Sequence, residues 1–427
     1  MGNDVRQAPP RGALHHLLGH PTDLSGHIDA HGPLAVALGR HESWQAALGA
    51  NLEASGLLGR GGGGFPSATK LALARAHGDG GTLVVNGMEG EPASDKDKVL
   101  LTRAPHLVLD GAQFLAAACR ARRVVVCVPA GRDGVATAVL HAISERSSAR
   151  YVRVSEVIVR PPDRFVAGEE SALTNWIDSQ TALPVFRPDK GVPLRIGKRA
   201  ALVHNAETLA HVALIARNGP EPFLARGMAE EPGTCLITIG GAVAQPGVVE
   251  IERGTPLRDI VRLGTPVESF QALLVGGYGG SWVGPDDFGT PYASIPLRAI
   301  GAGAGVGVII ALGATGCGVA ETARITRYLA GQSAGQCGPC VFGLPAIADD
   351  LARLAGGQSD PGLMTRLQRR LGQVNGRGAC RHPDGAVSLV RSALSVFRAD
   401  VAAHERGEPC GQWHRPSPLR FPGPTAR

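Results

Sequence analysis

The stretch Gly59-Arg60-Gly61-Gly62-Gly63-Gly64-Phe65-Pro66-Ser67-Ala68-Thr69-Lys70 decides how the rest of the chain is read. Glycines surround a single arginine, and Phe-Pro and a lysine follow. Glycine lets backbone N–H groups approach a ligand closely and point the same way. A helix starting at Pro66 adds its positive N-terminal end. Arg60 and Lys70 add full charges. The segment reads as a cradle for a phosphorylated cofactor, with a plain flexible loop as the alternative.

Lysine usage points the same way. Of the 43 Lys and Arg residues only five are lysine: Lys70, Lys96, Lys98, Lys190 and Lys198. Where composition favours arginine so heavily, a retained lysine marks a place that wants a compact point charge instead of a planar fork.

A chain of 427 residues suggests two to four domains, and 44% hydrophobic with 19% charged residues is a globular composition. The net charge of +6 comes without a dense basic run interleaved with aromatics, so nucleic-acid binding is not expected. It suits docking to an acidic protein. Met1 to Gly12 has no apolar core like that of a signal peptide. The uncharged run Ala299–Ala320 is crowded with Gly and Ala and reads as a buried strand flanked by loops, so no transmembrane segment is expected. Eight cysteines, one Cys-x-x-Cys pair among them, point to a reducing, cytoplasmic setting with metal or redox use.

Apolar runs predict strands at 82–86, 123–128 and 154–159, alternating with helical spacing at 106–120 and from 131 to about 145, the pattern of a largely parallel α/β sheet. A hairpin at 235–241 and 247–251, a short helix at 256–263 and a strand at 272–277 form a small β-rich unit. From Val319 the pattern is helical, at 319–329, 345–354, 361–371 and 387–404.

Three further groups carry chemistry. The strand ending at Asn86 runs into a turn holding Glu89 and Glu91, and the carboxyl end of a strand is where an open α/β sheet places its ligand. Asn86 can hydrogen-bond a heterocycle edge, and the two carboxylates can accept from hydroxyls. A solvated charged loop is the plain alternative. Gly168-Glu169-Glu170 opens a helix, either as simple capping or as a carboxylate pair beside a cofactor ring. Cys337-Gly338-Pro339-Cys340 with the remote Cys380 suits an iron–sulfur cluster, a redox dithiol or part of a zinc site. Cys119, Cys127, Cys235, Cys317 and Cys410 read as small hydrophobes.

Together these segments resemble the NADH-binding flavoprotein subunit of respiratory complex I, that is, the family of F subunits of NADH-quinone oxidoreductase, and its relatives in bidirectional hydrogenases and formate dehydrogenases. The resemblance rests on the glycine loop at Gly59–Pro66, the Asn-x-x-Glu-x-Glu-Pro turn at Asn86–Pro92, the Gly-Glu-Glu helix start at Gly168–Glu170, and Asn205-Ala206-Glu207-Thr208. It implies an N-terminal extension (1–45), an FMN-binding α/β domain (46–230) and a ubiquitin-like, SLBB-type β-grasp domain (231–300). A helical domain carrying one iron–sulfur cluster (301–410) and a disordered tail (411–427) follow. By the same resemblance Gly59, Arg60, Gly61, Gly62, Gly63, Gly64, Lys70, Asn86, Glu89, His204 and Asn205 hold FMN. Phe65, Glu91 and Glu169, with Gly168 and Glu170, face the nicotinamide nucleotide. Glu89, Glu91 and Glu169 are the catalytic carboxylates, and Cys337, Cys340 and Cys380 ligate the cluster.

The departures are specific. Ala334 stands where the family has its first cluster cysteine, so the cluster is 4Fe–4S with a foreign fourth ligand, Ser333, His382 or Asp384 being candidates, or 3Fe–4S. Cys317 lies a helix away from Cys337. The family's stacking phenylalanines fall near Leu73 and Lys190, with Phe186 close to the second, and Met88 replaces an aspartate. The resemblance thus implies an NADH dehydrogenase-like oxidoreductase passing electrons from NAD(P)H through FMN and the cluster. The acceptor is a ferredoxin, another iron–sulfur subunit or a membrane-associated complex. The alternatives are an FMN/iron–sulfur subunit that no longer uses NADH, and a cofactor-free assembly subunit.

Overall fold

A computed structural model describes residues 16–34, 42–77, 80–187, 191–358 and 360–422. The first sheet holds β1 (Thr82–Asn86), β2 (Arg123–Cys127), β3 (Ser155–Val159), β4 (Leu194–Ile196) and β5 (Arg199–Asn205) in the order β3-β2-β1-β5-β4. All pairings are parallel except β4 with β5. Leu83, Val84 and Val85 are wholly buried, as the central strand of a sheet covered on both faces requires. Helices Pro105–Ala118 and Ala206–Asn218 cover one face, and their backbones approach closely at Gly111 and Leu209. Helix Glu170–Ser179 covers the other, with Leu173 packed on Val84, Val125 and Val203.

The N-terminal segment is part of this core. Leu17 and Leu34 are fully buried in it, and helix Leu24–His31 pairs His27 with Asp110 at 2.9 Å. Asp110 also binds Arg146 and Arg217, and Arg146 binds Glu156 at 3.1 Å. The expected loose extension is therefore ordered over its described residues by a buried charge network. Residues 1–15 and 35–41 lie outside those described.

A small antiparallel ribbon, β6 (Gly227–Met228) with β7 (Glu231–Pro232), leads into the second sheet. That sheet holds β8 (Thr234–Gly241), β9 (Gly247–Glu252), β10 (Phe270–Val275), β11 (Ser281–Val283) and β12 (Val308–Gly313), ordered β11-β10-β12-β8-β9. Only β8 and β12 run parallel. Helix Leu257–Leu263 packs on it through Leu257, Ile260 and Val261. Since β12 sits at its centre, this sheet continues past the expected boundary at 300. The same strand lies inside the uncharged run, and among the described residues no helix is long and apolar enough to cross a membrane.

Helices Gly318–Gly331, Leu344–Ala355, Leu363–Val374, His382–Val396 and Arg398–Glu405 form the third layer, sharing a core around Leu329, Leu351, Leu367 and Leu389. Trp282 Nε1 ties it to the second sheet by donating to Thr322 Oγ1 at 2.9 Å. The tail expected to be disordered instead packs back over residues 411–422. Tyr278 donates its hydroxyl to Arg420 O at 2.6 Å, Phe421 stacks near Tyr278 and Tyr328, and Arg420 reaches Asp95 at 2.8 Å. Its prolines and arginines hide these partners, which lie about a hundred or more residues away in sequence. Residues 423–427 are not among those described.

Candidate functional site

The chain leaves β1 towards β2 on one side and returns through β5 on the other, with Asn86 level with Asn205. The crevice beyond the carboxyl ends of two such strands is the ligand position of an open α/β sheet. The glycine loop, the 87–95 turn and the start of helix Ala206–Asn218 are the segments attached there.

The loop is closed at its base by Gly59 N–H donating to Phe65 O and Ser67 N–H to Leu57 O, both at 2.9 Å. Arg60 N–H donates to Thr208 Oγ1 at 2.9 Å, which fixes the loop to the helix. Gly62 has φ +101°, and a Cβ there would stand 3.3 Å from Val306, so only glycine suits the position. A Cβ at Gly63 would meet nothing within 4 Å, which leaves that face of the loop open to a ligand.

Several expected ligand groups are committed to the protein. The Arg60 side chain turns inward and donates to Thr234 O at 3.1 Å, with Nε buried without a hydrogen bond and 4.0 Å from Glu207 Oε1. Glu89, at φ +42°, accepts from Ser94 Oγ at 2.7 Å, Asp97 N–H at 2.9 Å and Lys98 N–H at 3.0 Å. With these bonds it caps helix Lys96–Arg103. Burial and the neighbouring Asp97 push its pKa up to about 7. Asn205 accepts from Glu207 N–H and Lys96 Nζ and donates to Asp97 at 2.6 Å.

Other groups remain available. Lys70 donates to Val203 O at 3.1 Å and pairs with Glu170. His204, fully inside the sheet beside Lys70, keeps Nε2 buried with no partner; burial and the lysine charge hold its pKa well below the usual imidazole value. Asn86 Nδ2 donates to Gly168 O at 2.9 Å, drawing the two turns together. Glu91 accepts from Tyr278 N–H at 2.8 Å and Ala93 N–H at 3.2 Å, and burial lifts its pKa to about 7. Glu169 caps helix Glu170–Ser179 through Ser171 and Ala172 N–H.

Two aromatic rings stand free. Phe65 is 37% exposed and Phe186 is 65% exposed. Val185 N–H donates to Ser171 Oγ at 2.9 Å, which anchors the Phe186 segment beside the Glu169 cap. Leu73 is half-buried and Lys190 lies outside the described residues, so Phe186 is the ring the structure offers on that side.

Sequence reasoning passed over Lys96 and Glu207. They form a fully buried pair at 2.9 Å and line a cleft of about 330 Å³ that runs from the glycine loop past Arg253 and Tyr292 to the Gly303–Gly307 turn. Burial alone would lower the Lys96 pKa, but Asp97 and Glu207 raise it. The signal for Lys96 is its survival as lysine in a chain that otherwise prefers arginine.

Cys337 and Cys340 lie on one tight turn, with Cys340 N–H donating to Cys337 O at 3.0 Å. Backbone N–H groups of Ala379 and Cys340 outweigh burial and lower the Cys337 pKa, so the Cys380 segment lies against this turn. Burial pushes the Cys380 thiol up, and the charges of Glu169, Cys337 and Asp384 add to it. Of the expected fourth donors, Asp384 is taken by Gly376 N–H and Arg381. His382 Nε2 donates to Leu329 O at 2.8 Å, while Nδ1 is buried with no partner. Phe165 packs on the His382 ring at 5.2 Å and takes Gln332 Oε1 on its N–H, so the loop preceding Glu169 abuts the cysteine turn.

The residues present fit both implied groups. The open glycine loop and the orphaned His204 Nε2 suit FMN, and the thiols of Cys337, Cys340 and Cys380, within electrostatic range of one another, suit iron and sulfide. Fold and site together define a class: a flavin-type α/β cleft joined through one loop to a thiolate cluster on a helical layer.

Comparison with known proteins agrees. Residues 52–214 match the Nuo51 FMN-binding domain, and residues 320–404 match the NADH-ubiquinone oxidoreductase-F iron-sulfur binding region. The NADH-quinone oxidoreductase F 2 subunit of Rhizobium meliloti strain 1021 is 29% identical over 375 residues, covering 83% of this chain and 88% of that one. The corresponding F subunit of Escherichia coli K12 is 29% identical over 367 residues, 82% of either chain. A solved NAD+-reducing [NiFe]-hydrogenase in the H2-reduced state superposes with TM-score 0.80 at 29% identity over 89% of this chain, which spans 66% of that chain's length. The chain belongs to the family of NADH-quinone oxidoreductase F subunits.

Proposed function

We propose that this chain is a flavin–iron–sulfur electron-transfer subunit that oxidises NADH and delivers the electrons to another redox protein. The observation that carries the reading is the shared wall. The segment Phe165–Glu170 touches the cysteine layer through Phe165 and His382, reaches β1 through Asn86, and places Glu169 within electrostatic range of Cys380. FMN, when bound, supplies hydride acceptance and one-electron release, and the cluster supplies the onward path.

The chain's own residues do the positioning. Backbone N–H groups of Gly61–Gly64 and the Lys70 ammonium receive the phosphorylated flavin, with Lys70 released from Glu170 to do so. Neutral His204 offers its unpaired nitrogen to the cofactor. Glu91 and Glu169 flank the nucleotide, and Phe65 and Phe186 stack on its rings at about 1 kcal/mol each. Glu89 and Asn205 act one step back: they shape the turn and the helix start, and the catalytic role expected for Glu89 passes to Glu91. His382, two residues after Cys380 and with Nδ1 unprotonated and without a hydrogen-bond partner, would be the fourth cluster donor.

We read residues 231–313 as the β-grasp domain. The hairpin β8–β9, the helix, then β10, β11 and a central β12 parallel to β8 support it. The α/β domain precedes it from 46 to 230, and the helical domain follows to 410. The partner is a ferredoxin-like or other iron–sulfur subunit, which Val341 and Phe342 meet: both are exposed immediately after Cys340. The Cys-x-x-Cys pair and the unpaired thiols support a reducing compartment, the cytoplasm, as its setting.

The test is an anaerobic titration of the FMN-loaded chain with NADH. The flavin absorbance bleaches with one equivalent, and Phe186→Ala raises the NADH concentration needed about five-fold. A protein that binds no flavin would instead support the assembly-subunit alternative. A flavin that NADH leaves oxidised would support a subunit that has given up the nucleotide.

A further inference from the structure

Away from the cysteine turn, three other donors converge. Cys317 Sγ lies 3.6 Å from His404 Nε2, and the ligand atoms of Cys317, His404 and Cys410 all fall within 4.8 Å of one another. They come from three places: the cap of helix Gly318–Gly331, the last turn of helix Arg398–Glu405 and the root of the tail. His404 Nδ1 donates to Ala355 O at 3.0 Å, which makes Nε2 the unprotonated nitrogen; in the metal-free arrangement Nε2 accepts from Cys410 N–H at 3.3 Å while facing Cys317 Sγ, so an ion would take over that lone pair. A carbonyl behind a histidine in this way is the usual support of a metal-bound imidazole. Ala320 N–H donates to Cys317 Sγ at 3.4 Å, a second outer hydrogen bond, here to a sulfur. His404 is wholly buried and Cys317 almost so.

The spacing matches one ion. A tetrahedral zinc with bonds of about 2.3 Å to sulfur and about 2.05 Å to nitrogen holds those two atoms about 3.6 Å apart, and two thiolates with an imidazole are the donor set zinc prefers among common divalent ions. We propose that Cys317, His404 and Cys410 bind a zinc ion, with a water as fourth ligand, and that this ion fastens the C-terminal tail to the helical layer. The tail beyond Cys410 has polar partners to be kept in register. Arg324 donates to Trp413 O at 3.0 Å and Arg415 O at 2.6 Å, Ser417 binds Glu321, and Arg420 reaches Asp95 in the turn beside Glu91. The ion therefore pins the start of a strap that ends at the flavin-side cleft.

Metal analysis of the full chain, purified anaerobically with its flavin and iron, tests this. One zinc per chain is expected in addition to the iron. Cys410→Ser, on the half-buried tail, and His404→Gln each lose that zinc while iron and FMN contents stay at wild-type values. Replacing zinc with cobalt(II) gives sulfur-to-cobalt charge-transfer absorption that Cys410→Ser abolishes. Trypsin cleavage after Arg420 accelerates at least three-fold on zinc removal. Zinc retained in both variants overturns the site. So does a wild-type chain without zinc in which Cys317 and Cys410 form a disulfide, or an ion lost only when Cys337 or Cys340 is changed.

Discussion

At the scale of single residues, the glycine loop and Glu91 carry the sharpest expectations. Gly63→Ala adds a methyl group to open space at a position without positive φ, so the fold tolerates it and the melting temperature stays within about 2 °C. The same methyl stands where a phosphate approaches the backbone, and FMN affinity falls at least ten-fold by fluorescence titration. Gly62→Val is different: it strains a φ of +101° and crowds Val306, and it lowers stability as well as flavin binding. Equal flavin affinity in Gly63→Ala and wild type would move the cradle elsewhere.

Glu91 gives a pH signature. Its folded pKa is about 7 against an ordinary 4.5, so the folded chain holds this proton more tightly than the unfolded one. The associated stability is present in full below about pH 4.5 and is lost as pH rises through 7, a swing of about 3 kcal/mol for one such group. Glu89, with the same direction and value, adds to that window. Glu91→Gln removes its part, and denaturant unfolding between pH 4.5 and 8 becomes measurably flatter. An unchanged slope would mean that the carboxylate is not buried as described.

Elements explain what could and could not be foreseen. Strands β1, β2 and β8 are legible because buried strands read as near-unbroken Val, Leu and Ile runs, whereas the half-exposed edge strands β3 and β9 show only as short Val and Ile clusters. The cysteine turn is legible because its two ligands are neighbours in sequence. Glu89 is ambiguous in sequence because a carboxylate next to a strand end looks alike whether it meets a ligand or caps the following helix, and the structure shows the capping bonds. As a cap it is worth about 1–2 kcal/mol, so Glu89→Ala lowers the melting temperature by several degrees with flavin bound or not. A drop confined to the flavin-bound state would restore it to the ligand. Asp110 is another case, since its partners His27, Arg146 and Arg217 are scattered through the chain. Asp110→Ala strands two buried guanidinium groups and costs about 3–5 kcal/mol in chemical denaturation. A loss below about 1 kcal/mol would show that the N-terminal segment is not held by this network.

For the whole molecule, the Phe165–Glu170 loop stands between the Cys380 segment and the end of β1, so a cluster on the cysteines would be separated from the flavin cleft by this loop. On the proposed His382 ligation, Ala334 in place of a thiolate would leave the fourth iron on a weaker nitrogen donor, so anaerobic protein is expected to carry about four irons and air exposure to drive it towards three. Ala334→Cys suppresses that conversion, seen as loss of the oxidised three-iron EPR signal. The central claim is that one chain takes a hydride from NADH and passes its two electrons on one at a time. Freeze-quench EPR of the FMN-loaded, iron-replete chain mixed anaerobically with half an equivalent of NADH measures this directly. The account predicts flavin bleaching together with a reduced-cluster signal that appears within the same turnover and is absent in Cys340→Ser. A bleached flavin with a silent cluster, or a cluster reduced by dithionite but never by NADH, would contradict it.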